Sequence, residues 1–427
     1  MSLRNRRLCI FRAGLRTSIR RWTNDASPLL IESVKEMKEI YMEAKSFEFR
    51  TVPSIRVEWG GAGRLGELLA NAFSQRSALI VTDTGLVKMG LIGPIVANLR
   101  ANGFSVAIFD DVVADPPESV VLAAVEYGRP IKPGIVVGLG GGSSLDVAKL
   151  LAVLLVSEQK MTDIYGIDKV QGSRLPLVQI PTTSGTGSEV TNISIITTGA
   201  STKMGVIAPQ LYADLVLLDA QLTLGLPRMA TAATGIDAMV HAIEAYTSKA
   251  KKNPISDALA REALRIITAN LLTACQDGQN RAAREALLLG ATLAGQSFAN
   301  SPVAAVHALA YPLGSHYHVA HGLSNALMLG PVLRFNTSAA AHLYAELATV
   351  IGVPGHGNTE KRADDFIKAI EVLMSESGSP RRLRDVGVIE DSLEMLADEA
   401  MKQTRLLINN PIDLQRSDVL AIYREAY

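Results

Sequence analysis

Four residues have the types and the spacing of a divalent metal site: Asp237, His241, His307 and His321. Asp237 and His241 are four residues apart in GIDAMVHAIEAY, whose apolar positions recur at helical intervals, so both side chains lie on one face of the predicted helix. His307 and His321 lie near the start and at the end of VHALAYPLGSHYHVAH. Three imidazole nitrogens and one carboxylate suit Fe(II) or Zn(II) rather than Mg(II), which prefers oxygen ligands.

The residues alone leave other assignments of this site open. His316 and His318 lie between His307 and His321, and either could replace His321 as a ligand. A single histidine in an apolar helix is usually a packed core residue, and an aspartate one turn from a histidine is often a surface pair. The combination of all four residues favours the metal site over these interpretations.

A glycine-rich turn follows a predicted buried strand in GIVVGLGGGSSLDVAKLLAVLL. Gly140, Gly141 and Gly142 lead into a predicted helix that is opened by Ser143. Such glycines let backbone N–H groups approach a phosphate closely, and the helix N-terminus adds partial positive charge. The turn lacks the GK[ST] of a P-loop and the spacing of GxGxxG, so a tight turn without a ligand is the alternative to a pyrophosphate site.

A second loop rich in hydroxyl groups follows a predicted strand in LVQIPTTSGTGSEVT. Thr182, Thr183 and Thr186 lie where ligands collect in α/β proteins, at the carboxyl end of a parallel strand. Asp83 closes the predicted strand SALIVTD and could accept hydrogen bonds from an adenosine ribose. A carboxylate there repels a 2′-phosphate, which favours NAD over NADP. The alternatives are a solvent-facing Ser/Thr turn and an exposed strand-end aspartate.

The order of the predicted elements divides the chain into three parts. Short β-branched runs alternate with amphipathic stretches in the first half, which is typical of an α/β layer with a parallel sheet. From LPRMATAATGIDAMV onward, long Ala- and Leu-rich helical patterns dominate. We therefore predict an Arg-rich leader and N-terminal extension over residues 1–49, a dinucleotide-binding α/β domain over 50–224 and an all-α metal-binding domain over 225–427.

Composition indicates a soluble globular protein. The 427 residues are 48% hydrophobic and 20% charged, and the longest apolar runs, such as LLAVLLV, are too short for a bilayer span of about 20 residues. The two cysteines, Cys9 and Cys275, lack CxxC spacing, so neither a disulfide framework nor a cysteine metal site is indicated. A reducing compartment fits this cysteine usage, and we expect a cytoplasmic location.

The chain has 42 basic and 42 acidic residues, but its N-terminus is rich in basic residues. Residues 1–24 contain seven arginines and no acidic residue, which leaves 35 basic residues in the rest of the chain. Such a leader resembles an organelle transit peptide, so the mitochondrial matrix is the alternative location; an over-extended translation start or a solvated basic arm has the same composition. Nucleic-acid binding is not expected, since no basic stripe with interleaved aromatics continues beyond the leader.

Four motifs together resemble one known family. GGGSSLDVAK, PTTSGTGSEVT, GIDAMVHAIEAY and HALAYPLGSHYHVAHGLSNAL are similar, in order and spacing, to those of the iron-containing (group III) alcohol dehydrogenases over roughly residues 50–427. The resemblance implies a dehydroquinate synthase-like α/β domain, a helical domain, and a metal and a nicotinamide in the cleft between them. It also implies that the metal ligands are Asp237, His241, His307 and His321, and not His316 or His318.

The resemblance further assigns residues to the coenzyme. Lys203 falls near a family lysine of the coenzyme cleft. The residues that match the pyrophosphate loop are Gly141, Gly142, Ser143 and Asp146. The residues that match other coenzyme contacts are Thr182, Thr183 and Thr186.

Two positions depart from the family pattern. Many members have HPLG, with a histidine that relays the alcohol proton, where this chain has Tyr311 in AYPLG. Tyrosine, with an ordinary pKa of about 10, could donate or pass a proton, so Tyr311 is a candidate catalytic residue. The second departure is ADPP, which places Asp115 where PNP has an asparagine near the coenzyme.

We therefore expect a metal-dependent oxidoreductase that transfers a hydride between NAD(P) and a small alcohol, aldehyde or hydroxy acid. A homo-oligomer, most simply a dimer, is expected. Three enzyme classes of similar architecture are alternatives: a hydroxyacid-oxoacid transhydrogenase, a maleylacetate reductase and a dehydroquinate synthase-like lyase. A nucleotide-binding scaffold with a relic site is the non-enzymatic alternative, and the intact ligand set argues against it.

Overall fold

The computed structural model describes residues 46–199 and 202–427, and Phe49–Tyr427 form one compact unit. The Arg-rich leader of residues 1–24 lies outside the described residues. Within the described residues, the first half contains nine strands, which are β1 (Ile55–Val57), β2 (Ser77–Val81), β3 (Ser105–Phe109), β4 (Ile135–Gly140), β5 (Gly166–Ile167), β6 (Leu177–Pro181), β7 (Ile193–Thr198), β8 (Thr202–Ile207) and β9 (Leu215–Leu218).

Six of these strands form one sheet in the order β1-β9-β6-β4-β2-β3, and every neighbouring pair is parallel. A smaller sheet has the order β5-β8-β7, with β7 and β8 antiparallel. The helices of this half are α1 (Leu65–Ala72), α2 (Thr84–Lys88), α3 (Ile92–Ala101), α4 (Glu118–Ile131), α5 (Gly142–Leu154) and α6 (Met161–Ile164).

The large sheet is buried on both faces. Leu79 and Val81 of β2 belong to one apolar cluster, and the alternating residues Ala78 and Ile80 belong to another. Strands with continuous apolar sequence, such as ALIV here, are typical of a parallel sheet that is covered on both sides. This pattern confirms the predicted α/β layer with a parallel sheet.

The second half is helical. Three of its longer helices begin at asparagines whose side chains accept a hydrogen bond from a first-turn N–H; these are Asn253, Asn280 and Asn358. The helices are α7 (Arg228–Thr247), α8 (Pro254–Gln276), α9 (Arg281–Asn300), α10 (Ala305–Tyr317), α11 (His321–Val350), α12 (Thr359–Ser377), α13 (Leu393–Met401), α14 (Thr404–Leu407) and α15 (Arg416–Ala426). Among the described residues, no helix combines the length and apolarity needed to cross a membrane.

Helix α7 is the centre of this helical layer. It packs against α8, α9 and α11, and almost every residue from Thr231 to Thr247 is buried. A helix that is buried all round has no solvent-facing polar stripe, so the polar residues it carries must have a partner or a function. The predicted helical half is confirmed, while the boundary at residues 224 and 225 stays a prediction.

The strand order places a ligand crevice at one edge of the large sheet. Strand β4 follows β3 in the chain but lies on the other side of β2, so the order reverses between β2 and β4. Ligands of open α/β sheets bind at such a reversal, outside the carboxyl ends of the strands. Asp83 follows β2, Gly141 follows β4 and Thr182 follows β6, so all three predicted coenzyme segments start at this edge.

Candidate active site

Three helices bring the four predicted metal ligands together. Helix α7 carries Asp237 and His241, α10 carries His307, and His321 is the first residue of α11. The Nε2 atoms of the three histidines lie 3.9, 3.8 and 3.6 Å, in that order, from Oδ1 of Asp237. Ligand atoms of Asp237, His241 and His307 all lie within 4.8 Å of one another. Separations of this size allow one cation, at about 2.0–2.2 Å from each atom, to be shared.

The cluster formed by these four residues is buried on one side and exposed to solvent on the other. Asp237 and His307 are each 2% exposed and His241 is 5% exposed, whereas the side chain of His321 is 37% exposed. Burial alone would raise the pKa of Asp237, but the neighbouring histidines and Asn325 outweigh it, so this pKa is lowered. Burial lowers the pKa of His241 to about 3 and also lowers that of His321. A carboxylate beside neutral imidazoles is the protonation state that binds a metal.

A carboxylate that sequence reasoning missed orients His307. Oε2 of Glu244 lies 2.6 Å from Nδ1 of His307, and Oε1 accepts a hydrogen bond from the backbone N–H of Val306 at 2.7 Å. An Nδ1–H donated to a carboxylate leaves the lone pair of Nε2 free for a metal. The available signal was that Glu244 follows His241 by three residues, which puts it on the same side of α7.

The two alternative histidines lie away from this cluster. His316 and His318 are exposed at the C-terminal end of α10, where His318 ends the helix in a left-handed conformation with φ 54°. The half-buried Tyr311, one turn of α10 after His307, has its ring centroid 5.9 Å from that of His321. Burial raises the pKa of Tyr311, so its hydroxyl stays protonated at neutral pH.

The two predicted coenzyme loops face each other. A methyl group added at Gly142 would lie 2.8 Å from Cγ2 of Thr186, and one added at Gly141 would lie 3.6 Å from Cγ2 of Thr183. Gly140, with φ 155°, leaves no room for a side chain beside Ser144. Hence it is at Gly142, the first residue of α5, that the absence of a side chain allows the close approach to Thr186, whereas a methyl group at Gly141 would make an ordinary van der Waals contact.

The part of these loops open to the crevice is the N-terminus of α5. Gly141, Gly142, Ser143, Thr183 and Thr186 are half-buried, whereas Gly140 and Thr182 are buried. Gly141 is the N-cap of α5 and contributes no side-chain cap, so a pyrophosphate is the kind of anion that this helix end is suited to bind.

Asp146 has a different environment from the other predicted coenzyme residues. Its Oδ1 accepts a hydrogen bond from Oγ of Ser188 at 2.6 Å, and its Oδ2 accepts one from the backbone N–H of Ile195 at 2.8 Å. Nζ of the fully buried Lys149 lies 3.4 Å from Oδ1 and donates to Ser188 at 2.7 Å. These contacts tie α5 to the segment after β6 and to β7, so Asp146 supports the loops; its predicted pyrophosphate contact stays a prediction.

Lys203, Asp115 and Asp83 lie at the edges of the crevice. Nζ of Lys203 pairs with Oδ1 of Asp115 at 2.6 Å and donates to Oγ1 of Thr197 at 3.0 Å. The backbone N–H of Asp115 contacts Oγ of Ser143 at 3.3 Å, which places this ion pair beside the start of α5. Asp83 caps α2 by accepting from the N–H of Leu86 at 3.0 Å, directly after β2.

Comparison with known proteins decides the family. Residues 53–220 match the family described as iron-containing alcohol dehydrogenase, and residues 231–427 match the C-terminal region of the Fe-containing alcohol dehydrogenase family. The chain belongs to the iron-containing alcohol dehydrogenase family. It is 40% identical over 379 residues to long-chain-alcohol dehydrogenase 1 of Geobacillus thermodenitrificans, a match that covers 88% of this chain and 95% of the relative.

Solved structures of the family have the same fold. A crystal structure of 1,3-propanediol oxidoreductase matches with a TM-score of 0.86 and 34% identity, covering 90% of this chain and 100% of that one. A sulfoacetaldehyde reductase from Bifidobacterium kashiwanohense, solved in complex with NAD+, matches with a TM-score of 0.80 and 26% identity, covering 90% of this chain and 99% of that one. The predicted family and fold class are therefore confirmed.

Family membership also confirms the predicted activity class. As an iron-containing alcohol dehydrogenase, the chain is a metal-dependent alcohol/aldehyde oxidoreductase, and the family implies iron and NAD. The donor set of the cluster fits the metal, because imidazole nitrogens with one carboxylate are the ligands that Fe(II) accepts.

Proposed function

We propose that this iron-containing alcohol dehydrogenase catalyses the reversible NAD-dependent oxidation of a small alcohol at the crevice between the parallel sheet and helices α7, α10 and α11. Asp237, His241, His307 and His321 are the proposed iron ligands. The observation that carries the proposal is the placement of three Nε2 atoms within 3.6–3.9 Å of one buried carboxylate oxygen.

The protein contributes position and charge to this reaction. Fe(II), when bound, supplies a Lewis acid that favours the alkoxide over the alcohol and polarises the carbonyl of the aldehyde. The more exposed His321 marks the side from which a substrate reaches the cluster, because the other three residues are closed off by packing. The surrounding apolar helices exclude water, which strengthens charge interactions in the site.

The coenzyme is proposed to lie across the carboxyl ends of β2, β4 and β6. Gly141, Gly142 and Ser143 at the start of α5 bind the pyrophosphate through backbone N–H groups, and Thr183 and Thr186 face them from the second loop. Asp83 lies at the ribose end, where its carboxylate favours NAD over NADP.

Tyr311 is proposed to transfer the alcohol proton to solvent. Its ring lies next to that of His321, on the exposed side of the cluster. Because burial raises its pKa, the hydroxyl acts as a protonated donor and acceptor in a chain of hydrogen bonds, and not as a phenolate base.

Several finer points belong to the same proposal. Zn(II) is expected to bind the same four ligands, since the preferences of the two metals overlap. NADP is expected to be a poor coenzyme because of Asp83. We also expect a homodimer, and no interaction with nucleic acid, given the balanced charge of the chain.

A substrate panel tests the proposed function. Protein purified without oxygen and loaded with Fe(II) is given short and long primary alcohols with NAD or NADP, and the formation of NADH or NADPH is followed by absorbance. We expect net NADH formation with at least one alcohol and slower turnover with NADP. Turnover only when a 2-oxoacid is added, with no net NADH, would instead indicate transhydrogenation.

A further inference from the structure

Asn325 lies against the cluster of four proposed metal ligands. It is fully buried on α11, one turn after His321. Its side-chain nitrogen donates to Oδ1 of Asp237 at 2.6 Å, and the same nitrogen lies 3.3 Å from Nε2 of His307 and 3.3 Å from Nε2 of His321. One amide group therefore contacts the ligand atoms of three of the four proposed metal ligands.

The charges around Asn325 fix which end of its amide faces the cluster. Turning the amide over would put Oδ1 against the carboxylate of Asp237, where two oxygen acceptors repel each other. In the observed orientation, Oδ1 of Asn325 is buried without a hydrogen-bond partner among the described residues. A buried carbonyl without a partner is costly, so the contact of the NH2 group with the ligand atoms is the dominant interaction of this side chain.

The contacts of Asn325 also favour one tautomer of the neighbouring imidazoles, the one without a proton on Nε2. An amide NH2 group only donates hydrogen bonds, so it is compatible with Nε2 atoms that carry a lone pair and not a proton. The Nδ1 atom of His307 is already committed to Glu244 at 2.6 Å. Glu244 and Asn325 thus act on the two ring nitrogens of His307 in the same direction, and both favour the tautomer in which Nδ1 carries the proton and Nε2 does not.

We propose that Asn325 is a positioning residue of the metal centre, which holds the Asp237 carboxylate in place and keeps Nε2 of His307 and His321 directed at the cluster. This inference rests on the proposed metal site. Residues that orient metal ligands in this way typically change metal affinity by about 10- to 100-fold when replaced. Asn325 is fully buried and contacts the proposed ligands, so we expect its replacement to change metal affinity.

The test compares metal affinity with folding stability in matched variants. Asn325→Leu keeps the approximate size of the side chain and removes the donor, whereas Asn325→Ser keeps a shorter donor. Asn336→Leu is the control, because Asn336 is also buried on α11 but bonds to Asn410, away from the cluster. The dissociation constant for Co(II) is measured by competition with a chromophoric chelator, and the unfolding midpoint is measured in EDTA.

We expect Asn325→Leu to raise the Co(II) dissociation constant about tenfold or more, and Asn325→Ser to recover part of that loss. Asn336→Leu should lower the unfolding midpoint and leave the dissociation constant within about twofold of the wild-type value. An Asn325→Leu protein that binds Co(II) as tightly as the wild type overturns the inference. If this variant does not fold, Asn325→Ala takes its place, and an unchanged dissociation constant for it has the same meaning.

The wild-type titration separates this inference from the proposed function. Absence of Co(II) binding by the wild-type protein would contradict the metal site itself. Binding by the wild type that is unaffected by the Asn325 variants would contradict only the role of Asn325.

Discussion

Glu244 and His307 form a carboxylate–imidazole pair, with 2.6 Å between Oε2 and Nδ1, on the buried side of the four proposed metal ligands. The pair joins α7 to α10 across 63 residues of sequence. We predict that Glu244→Gln weakens Fe(II) or Zn(II) binding about 10- to 100-fold, because an amide is a weaker acceptor and orients the ring less firmly. Equilibrium dialysis measures this affinity, with the exposed Glu262→Gln as the control. Equal affinities of the two variants would argue against the pair.

The contact between Gly142 and Thr186 gives a prediction for the coenzyme. Gly142→Ala places a methyl group 2.8 Å from Cγ2 of Thr186, so the two loops must separate or the helix N-terminus must shift. We expect NAD to bind at least about tenfold more weakly, a free-energy change of about 1.4 kcal/mol, while metal content stays unchanged. Calorimetric titration with NAD measures the effect. Gly93→Ala is the matched control, since an added methyl there meets nothing within 4 Å.

The Asp115–Lys203 ion pair gives a prediction for substrate charge. The charges of Asp115 and Lys203 both act on His321, the most exposed of the proposed ligands. Asp115→Asn removes the carboxylate that pairs with Lys203 at 2.6 Å and leaves the ammonium group to attract an anionic substrate. The side chain of Asp115 is 57% exposed, so solvent screens the effect. We expect kcat/KM for succinic semialdehyde, relative to uncharged butanal, to rise about threefold to fivefold at low salt and to return toward the wild-type ratio at 1 M salt. A ratio that does not respond to this substitution would exclude the ion pair as a determinant of substrate charge.

Tyr311 gives a prediction for proton transfer. Tyr311→Phe removes the hydroxyl and keeps the ring that packs beside His321. We expect kcat to fall about 100-fold, with metal content and NAD affinity unchanged. The raised pKa of Tyr311 means that the phenol stays protonated over the neutral range, so ionisation of this group should not appear in the wild-type rate profile between about pH 6 and 9. A Phe variant with wild-type kcat would show that the proton leaves by another route.

The sequence predicted the parts of this enzyme that have a local pattern. The i,i+4 spacing of Asp237 and His241 places both on α7, and the glycine run before Ser143 marks the strand-to-helix turn. The alternation of strands and helices predicts a parallel sheet, because parallel strands need crossover connections. These features depend on residues close together in the chain.

The residues that sequence reasoning missed depend on contacts between distant segments. Glu244 meets His307, and Asn325 meets Asp237, 88 residues earlier in the chain. These contacts depend on how α7, α10 and α11 pack together. That packing cannot be predicted from the periodicity of any one segment of the sequence. The hydrogen bonds of Asp146 to Ser188 and to the backbone of Ile195 also join distant segments, and its predicted pyrophosphate contact stays a prediction.

The most direct test of the metal centre is the metal content and NAD affinity of His307→Ala beside His316→Ala. Both substitutions remove an imidazole from α10, but only His307 lies in the cluster, whereas His316 is exposed. Both variants are loaded with Fe(II) without oxygen and passed through gel filtration. We predict that His307→Ala retains little iron and has no turnover, but binds NAD nearly as tightly as the wild type does. His316→Ala should match the wild type in iron content, turnover and NAD affinity. Full iron content and turnover in His307→Ala would contradict the proposed metal site.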